Sequence, residues 1–170
     1  GETIAPYDPR IPVGPPSSPP SGAHWFGTDT AGLDVFSRVI SAPRIDVTLA
    51  VSAALLSGIL GTFIGLMAGF YRGPLSALIM RISDVLQAFP VFILAMVLVA
   101  LSGRNLTNLI FALTFLYTPI FVRLTRAEVL TQRERSYVEA ARAQGNSELK
   151  IALKHVLLNS LTPSLIQLSV

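Results

Sequence analysis

Three stretches without a charged side chain constrain this sequence more than any other feature. They are Val47–Tyr71, Val85–Gly103 and Asn105–Val122, runs of 25, 19 and 18 residues. A bilayer's hydrocarbon core is crossed by about 20 apolar residues in a helix, so each run is near spanning length. Charged side chains make up only 14% of the chain and mean hydropathy is +0.58, whereas soluble domains carry about 25% charge. The fold class this predicts is all-α, a polytopic transmembrane helical bundle. Absence of cysteine excludes a disulfide scaffold and a thiolate metal site. Disorder is excluded beyond the first two dozen residues. The net charge of +3 is modest and confined to a few segments, so it gives no nucleic-acid footprint.

The first run would measure about 37 Å as a helix. Gly61, Gly65 and Gly69 recur in it at four-residue spacing. In water such a stripe weakens a helix by about 1 kcal/mol per glycine. In lipid it lets a neighbouring backbone approach closely, so these three glycines are predicted to form a packing face. Tyr71-Arg72-Gly73-Pro74 then breaks the chain, and Leu75 to Arg81 is semi-polar. The second span is expected from Ile82 to Ser102, with Pro90 kinking or loosening it. Asp84 near its start needs a partner at that depth, and Arg81, three residues away, is the expected membrane-interface pair. Ser102-Gly103-Arg104-Asn105 is a tight turn leading into the third span, Leu106 to Val122.

Residues 1–30 differ in kind. Seven of the twelve prolines lie between Pro6 and Pro20, a density that forbids helix and favours extended, polyproline-like chain. Two readings stay open: a flexible linker, or an extended arm laid over folded protein, for which Ile4, Tyr7, Ile11, Val13, Trp25 and Phe26 would supply contacts. Gly27 to Gly32 provides turn and cap residues ahead of an amphipathic piece, Leu33 to Ile40. The domain reading is an arm and amphipathic segment over 1–45, then a membrane domain over 46–170. No signal peptide is visible at Gly1, and Val170 falls inside an apolar stretch, so both ends read as cut and a fragment of a longer subunit is expected.

Between Arg123 and Lys154 stand seven basic residues interleaved with four glutamates. With Arg72 and Arg81, nine of the thirteen basic residues fall on one side when three spans are threaded between the loops. The positive-inside rule then predicts that 72–81 and 123–154 are cytoplasmic, and that the proline-rich segment and Arg104 lie outside. The 123–154 segment reads as two or three short helices. Val138, Ala141 and Gln144 recur at three-residue steps, Gly145-Asn146 stops a helix, and Ser147-Glu148 can restart one. Such a segment can lie on acidic headgroups or dock on protein; its glutamates and its exposed Tyr137 and Val138 favour protein.

Chemistry of other kinds is missing. No glycine-rich loop ends in Gly-Lys-Ser/Thr, no His/Asp/Glu group has metal-site spacing, and no nucleophile elbow occurs. Catalysis and a bound metal are therefore not expected of this chain. A pore-forming transporter subunit and a membrane scaffold remain, with an intramembrane enzyme a distant third because the spans offer only Asp84.

Glu139-Ala140-Ala141-x-x-x-Gly145 resembles the "EAA" loop of permease subunits in bacterial ABC importers. The flanking text is similar, more narrowly, to the C-type permease subunit of dipeptide and oligopeptide importers. The matching blocks are Ile4 to Pro9, His24 to Arg38, Met80 to Asp84 with Ala88 to Pro90, and Tyr137 to Gly145 running on to His155 and Asn159. Leu33 stands where that family has arginine, and Leu157-Leu158 where it has Leu-Pro, so a straighter re-entry into the membrane is expected here. Nickel importers share these motifs.

The resemblance implies a six-span permease of the type I importer kind in the bacterial inner membrane. It implies a homologous B-type permease, two cytoplasmic ATPase subunits holding ATP and Mg, and an extracytoplasmic substrate-binding protein as partners, with no cofactor and no nucleic acid bound by this chain. By that comparison one span would precede Gly1 and others would follow His155. His24, Gly27, Thr28, Asp29, Gly32 and Asp34 would form an extracytoplasmic motif near the binding protein. Tyr137, Val138, Glu139, Ala140, Ala141, Arg142 and Gly145 would couple the membrane spans to an ATPase subunit. A short helix with Glu139 in its first turn, held by Arg142 and ended by Gly145 at positive φ, would serve as the lever.

Overall fold

The computed structural model describes residues 4–71, 73–103 and 105–169; Arg72 and Arg104, which enter the charge argument, lie outside the described residues. The chain divides into two compact units, Gly1–Val51 and Ser52–Val170. Among the described residues regular structure is helical, with a single isolated β-bridge between Thr28 and Asp34.

Helix α1, Val35–Phe70, has 36 residues and is about 54 Å long. It merges the amphipathic piece and the first span, which the sequence had kept apart. Pro43 lies inside it and removes a single N–H donor. That loss does not stop a helix that goes on through so long an apolar run.

Helix α2, Pro74–Ala88, starts with proline at its first position, where the missing N–H has no helical acceptor in any case. It ends at Phe89, which is extended at φ −85° and ψ 142°, because a following proline excludes the helical region for its predecessor. Helix α3, Val91–Ser102, then leaves at 95° to α2. The expected second span, 82–102, is thus broken at Phe89-Pro90 rather than kinked. Gly103 closes α3, and Asn105 caps α4 by accepting from the Asn108 N–H at 2.7 Å.

Helix α4, Leu106–Gln132, carries the third span ten residues past Val122, so Arg123 and Arg126 sit on a membrane-length helix and not in a loop. By length and composition α1 and α4 can each cross a membrane, and the bent α2–α3 pair could make a third span. Four short segments follow: α5, Ser136–Ala143; α6, Glu148–Lys150, widening into a π-turn at Ile151–Val156; α7, Leu157–Ser160; and α8, Thr162–Leu168.

The glycine stripe of α1 lies against α4. A Cβ on Gly65 would stand 2.7 Å from the Val122 carbonyl and 2.8 Å from Thr125 Cβ, and one on Gly69 would stand 2.8 Å from Val129 Cβ. One on Gly61 would lie 2.7 Å from the Thr118 carbonyl. Apart from Val129 Cγ1 beside Gly69, these nearest atoms are backbone or Cβ, which cannot swing aside. The stripe's neighbour is therefore a helix of the same chain. Farther along, Thr125 Oγ1 and Ser164 Oγ share a buried hydrogen bond of 2.9 Å, joining α4 to α8. Most other large side chains on α1 and α3 are exposed apolar groups, including Ile59, Phe63, Phe92 and Met96, as expected of helices that meet lipid or partner helices.

Candidate functional site

The basic segment builds from the end of α4. Val129 of α4 joins Leu66 and Phe70 of α1, Val138 and Ala141 of α5, Ile151 and Ala152 of the π-turn, and Val156 in one buried apolar cluster. Val138 is 0% exposed and Ala141 5%. Both were expected to touch an ATPase subunit; instead they face inward and seat α5 on the ends of α1 and α4. Their three-residue spacing puts them on one side of the helix, and Glu139, Ala140 and Arg142 are exposed on the remainder. Tyr137 lies partly over the cluster, its hydroxyl donating to Gln132 Oε1 at 2.9 Å.

The end of α5 is a Schellman cap. The Gly145 N–H donates to the Arg142 carbonyl (2.9 Å) and the Asn146 N–H to the Ala141 carbonyl (3.2 Å). Gly145 sits at φ 80°, which L side chains adopt at a steric cost. The chain reverses there, and Ser147 caps α6 by accepting from the Lys150 N–H. Reversal brings Glu148 against Arg142, with Nε to Oε1 at 2.8 Å and Nη2 to Oε2 at 3.2 Å. The expected Glu139–Arg142 pairing is replaced by this two-pronged one, because Glu148 approaches the guanidinium head-on across the turn. The Arg142 hydrogen bond holds the Glu148 carboxyl below its ordinary value. The π-turn was not anticipated. It widens the helix between Lys150 and Leu157 and keeps Ile151, Ala152 and Val156 buried, while Leu149 and Leu153 stay exposed.

Asp84 is also partnered otherwise than expected. Arg123 Nη2 of α4 lies 2.6 Å from Asp84 Oδ1, tying α2 to α4 instead of closing a pair with Arg81 on its own helix. Sequence reading passed over Arg123 because it counted it among loop charges. A signal was present: an unbroken apolar pattern from Leu106 that continues through Thr125 to Val129 places Arg123 on the helix.

The proline-dense segment does not extend freely. The Val13 N–H donates to the Gly32 carbonyl (2.9 Å), the Ser17 N–H to the Asp29 carbonyl (2.9 Å) and the Thr28 N–H to the Ser18 carbonyl (3.1 Å). It is thereby fastened along residues 24–34. Asp34, 1% exposed, caps α1: its Oδ2 accepts from the Ser37 N–H (2.8 Å) and hydroxyl (2.7 Å), and Oδ1 lies 3.0 Å from His24 Nδ1. Burial pushes the Asp34 carboxyl up, but the Ser37 and His24 hydrogen bonds outweigh it, and the carboxyl is held below its ordinary value. Asp29 accepts from the N–H groups of Leu33 (3.0 Å) and Ala31 (2.8 Å) and is met by Arg38. The Leu33 bond is the main cause of its lowered pKa. Gly27 and Gly32 take positive φ at the two turns of this knot. All six residues of the motif thus come together, and Arg38, which sequence reading did not single out, supplies the cation beside Asp29.

Among the described residues, two membrane-length helices, a broken apolar pair and a short helix seated on the ends of α1 and α4 make the frame of a membrane protein. Residues 61–170 match the family model described as "Binding-protein-dependent transport system inner membrane component", and the chain belongs to that family. It is 40% identical over 148 residues to the dipeptide transport system permease protein DppC of Alkalihalophilus pseudofirmus, covering 87% of this chain and 49% of that protein. It is 38% identical over 143 residues to the glutathione transport system permease protein GsiD of Pectobacterium atrosepticum, covering 84% and 48%. With the probable D,D-dipeptide transport system permease protein DdpC of Escherichia coli it shares 38% over 151 residues, covering 89% and 51%. The chain spans about half the length of the curated relatives it matches.

Proposed function

We propose that this chain is part of the pore-forming permease subunit of an ATP-driven peptide importer in a bacterial inner membrane. One observation carries the reading: α5 is packed by its buried face onto the ends of α1 and α4, while Glu139, Ala140 and Arg142 remain exposed for a partner. A helix so seated passes a push to the spans as a rigid body. The chain performs no catalysis in this reading. ATP and Mg belong to two cytoplasmic ATPase subunits, and a B-type permease and an extracytoplasmic binding protein complete the complex. Residues 1–44 and Arg104 face outward and 72–81 and 123–154 the cytoplasm, in keeping with the charge bias.

Peptides are the proposed cargo, since the relatives are named for dipeptide, glutathione and D,D-dipeptide transport. For nickel the support is weaker, since none of these three relatives is named for metal transport. Uptake of labelled dipeptides, oligopeptides and nickel, measured in a strain deleted for the gene and in the complemented strain, tests the reading. Restored peptide uptake alone is expected, and restored nickel uptake alone would refute it. Orientation is tested by Ser18→Cys and Ser147→Cys in intact cells. A membrane-impermeant thiol reagent should label the first, and labelling of the second instead would invert the topology.

A further inference from the structure

The last four carbonyls of a helix lack helical partners. For α1 they belong to Met67, Ala68, Gly69 and Phe70, and the structure accounts for each. The Tyr71 N–H donates to Met67 at 3.1 Å. Ser76 Oγ of α2 donates to Ala68 at 2.5 Å. Arg133 Nη1 donates to both Gly69 (3.2 Å) and Phe70 (2.6 Å). The Arg133 side chain is only 14% exposed, and its guanidinium stands 6.0 Å over the Phe70 ring, with Nε 3.6 Å from the neighbouring Glu134 carboxylate. It is also the residue that ends α4 and opens the turn into α5.

Resting on the permease reading above, we propose that Arg133 is the positioning residue that carries movement of α5 to the end of α1. The apolar contacts of Val138 and Ala141 hold α5 on the helix ends by close fit, and Arg133 adds to them a bond with a set direction. A guanidinium is planar and holds its donors in a fixed fork, and a cation at a helix's carbonyl end is further held by the dipole. Rotation of the 133–135 turn must therefore drag the end of α1 with it. Ser76 caps the adjacent carbonyl from α2 and has no covalent link to that turn, so it steadies α1 without driving it.

The test uses the full permease assembled with its partner permease, ATPase subunits and binding protein in proteoliposomes, and reads the ratio of binding-protein-stimulated to basal ATP hydrolysis. Failure of the unaltered complex to take up peptide with ATP would overturn the permease reading itself, whatever Arg133 does. Given uptake, Arg133→Ala should lower the ratio on the order of tenfold, as expected for losing a charge-assisted hydrogen bond, with basal hydrolysis retained. Arg133→Lys, keeping one donor, should lower it about threefold. Ser76→Ala should leave it unchanged. An unchanged ratio in Arg133→Ala, or an equal fall in Ser76→Ala, would reduce Arg133 to a mere cap and overturn the proposal. If Arg133→Ala does not assemble, Arg133→Lys decides: a reduced ratio supports the role, and an undiminished one refutes it.

Discussion

Around Asp34 the chain is knotted by polar side chains, whereas around Val138 it is pressed into place by apolar ones. In the first region a buried carboxylate gathers Ser37 and His24, and a string of backbone bonds fastens the proline-dense segment beside it. In the second, eight apolar residues from four elements meet, and polar groups serve mainly to cap helix ends. Hydrogen bonds have direction, so the first region keeps its shape with little apolar burial. The second depends on volume and close fit. The two should therefore fail under different insults.

The most damaging change is expected at Val138. Val138→Asp would bury an unpaired carboxylate in the cluster, at about 4 kcal/mol, and should free α5 while leaving residues 4–38 in place. Protease cleavage between Arg133 and Arg142 in the solubilised protein checks this; resistance equal to the parent would mean the cluster is not what seats α5. Gly65→Leu comes next, at about 3 kcal/mol, because overpacking must push α4 away from α1. Thermal unfolding in detergent should show the loss, and an unaltered midpoint would mean the stripe does not pack as described.

On the polar side, Asp34→Ala removes the cap of α1 and the His24 partner, at about 2 kcal/mol. Trp25, the chain's one tryptophan, packs on Phe36 with ring centroids 4.7 Å apart and reports on this region by its fluorescence. Acid should act there too. Asp29 and Asp34 both have carboxyls held below the ordinary 3.8, so their stabilisation is present above that value and is lost as pH falls through their depressed pKa values. Trp25 emission should accordingly shift only below about pH 4, and Asp34→Ala should blunt the shift. At α5 the carboxylate at stake is the exposed Glu148, also held below its ordinary value by the Arg142 hydrogen bond. Losing a surface pair costs little, so cleavage at α5 should change far less over that range. The smallest effect is expected of Gly145→Ala. No atom lies within 4 Å of the added Cβ, so the cost is that of positive φ alone, about 1 kcal/mol.

Legibility in the sequence followed the same division. Charge-free runs revealed α1 and α4 because hydrophobic length is a property of consecutive residues, and the Val138–Ala141 spacing and Gly145 stop revealed α5 for the same reason. The glycine stripe announced a close neighbour but not which one. Pairings made across a fold were not legible: Arg123 reaches Asp84 from 39 positions away, and Arg133 reaches Phe70 from 63. The break at Phe89-Pro90 was readable as a proline effect, yet its 95° depends on where α3 finds room. The inward orientation of Val138 was the costliest misreading. An apolar face on a short helix fits a partner protein and the chain's own core equally well until the neighbouring helix ends are known.

That ambiguity is also the central claim's most direct test, and a chain without native cysteine makes it clean. Val138→Cys and Ala140→Cys, each in the assembled permease, are exposed to a small thiol reagent with and without the ATPase subunits. The account predicts that position 138 reacts slowly in both states, while position 140 reacts readily in the free permease and is shielded once the ATPase subunits bind. Rapid labelling at 138 in the free permease, or labelling at 140 that the ATPase subunits do not slow, would contradict a lever gripped by its buried face and pushed on its exposed one.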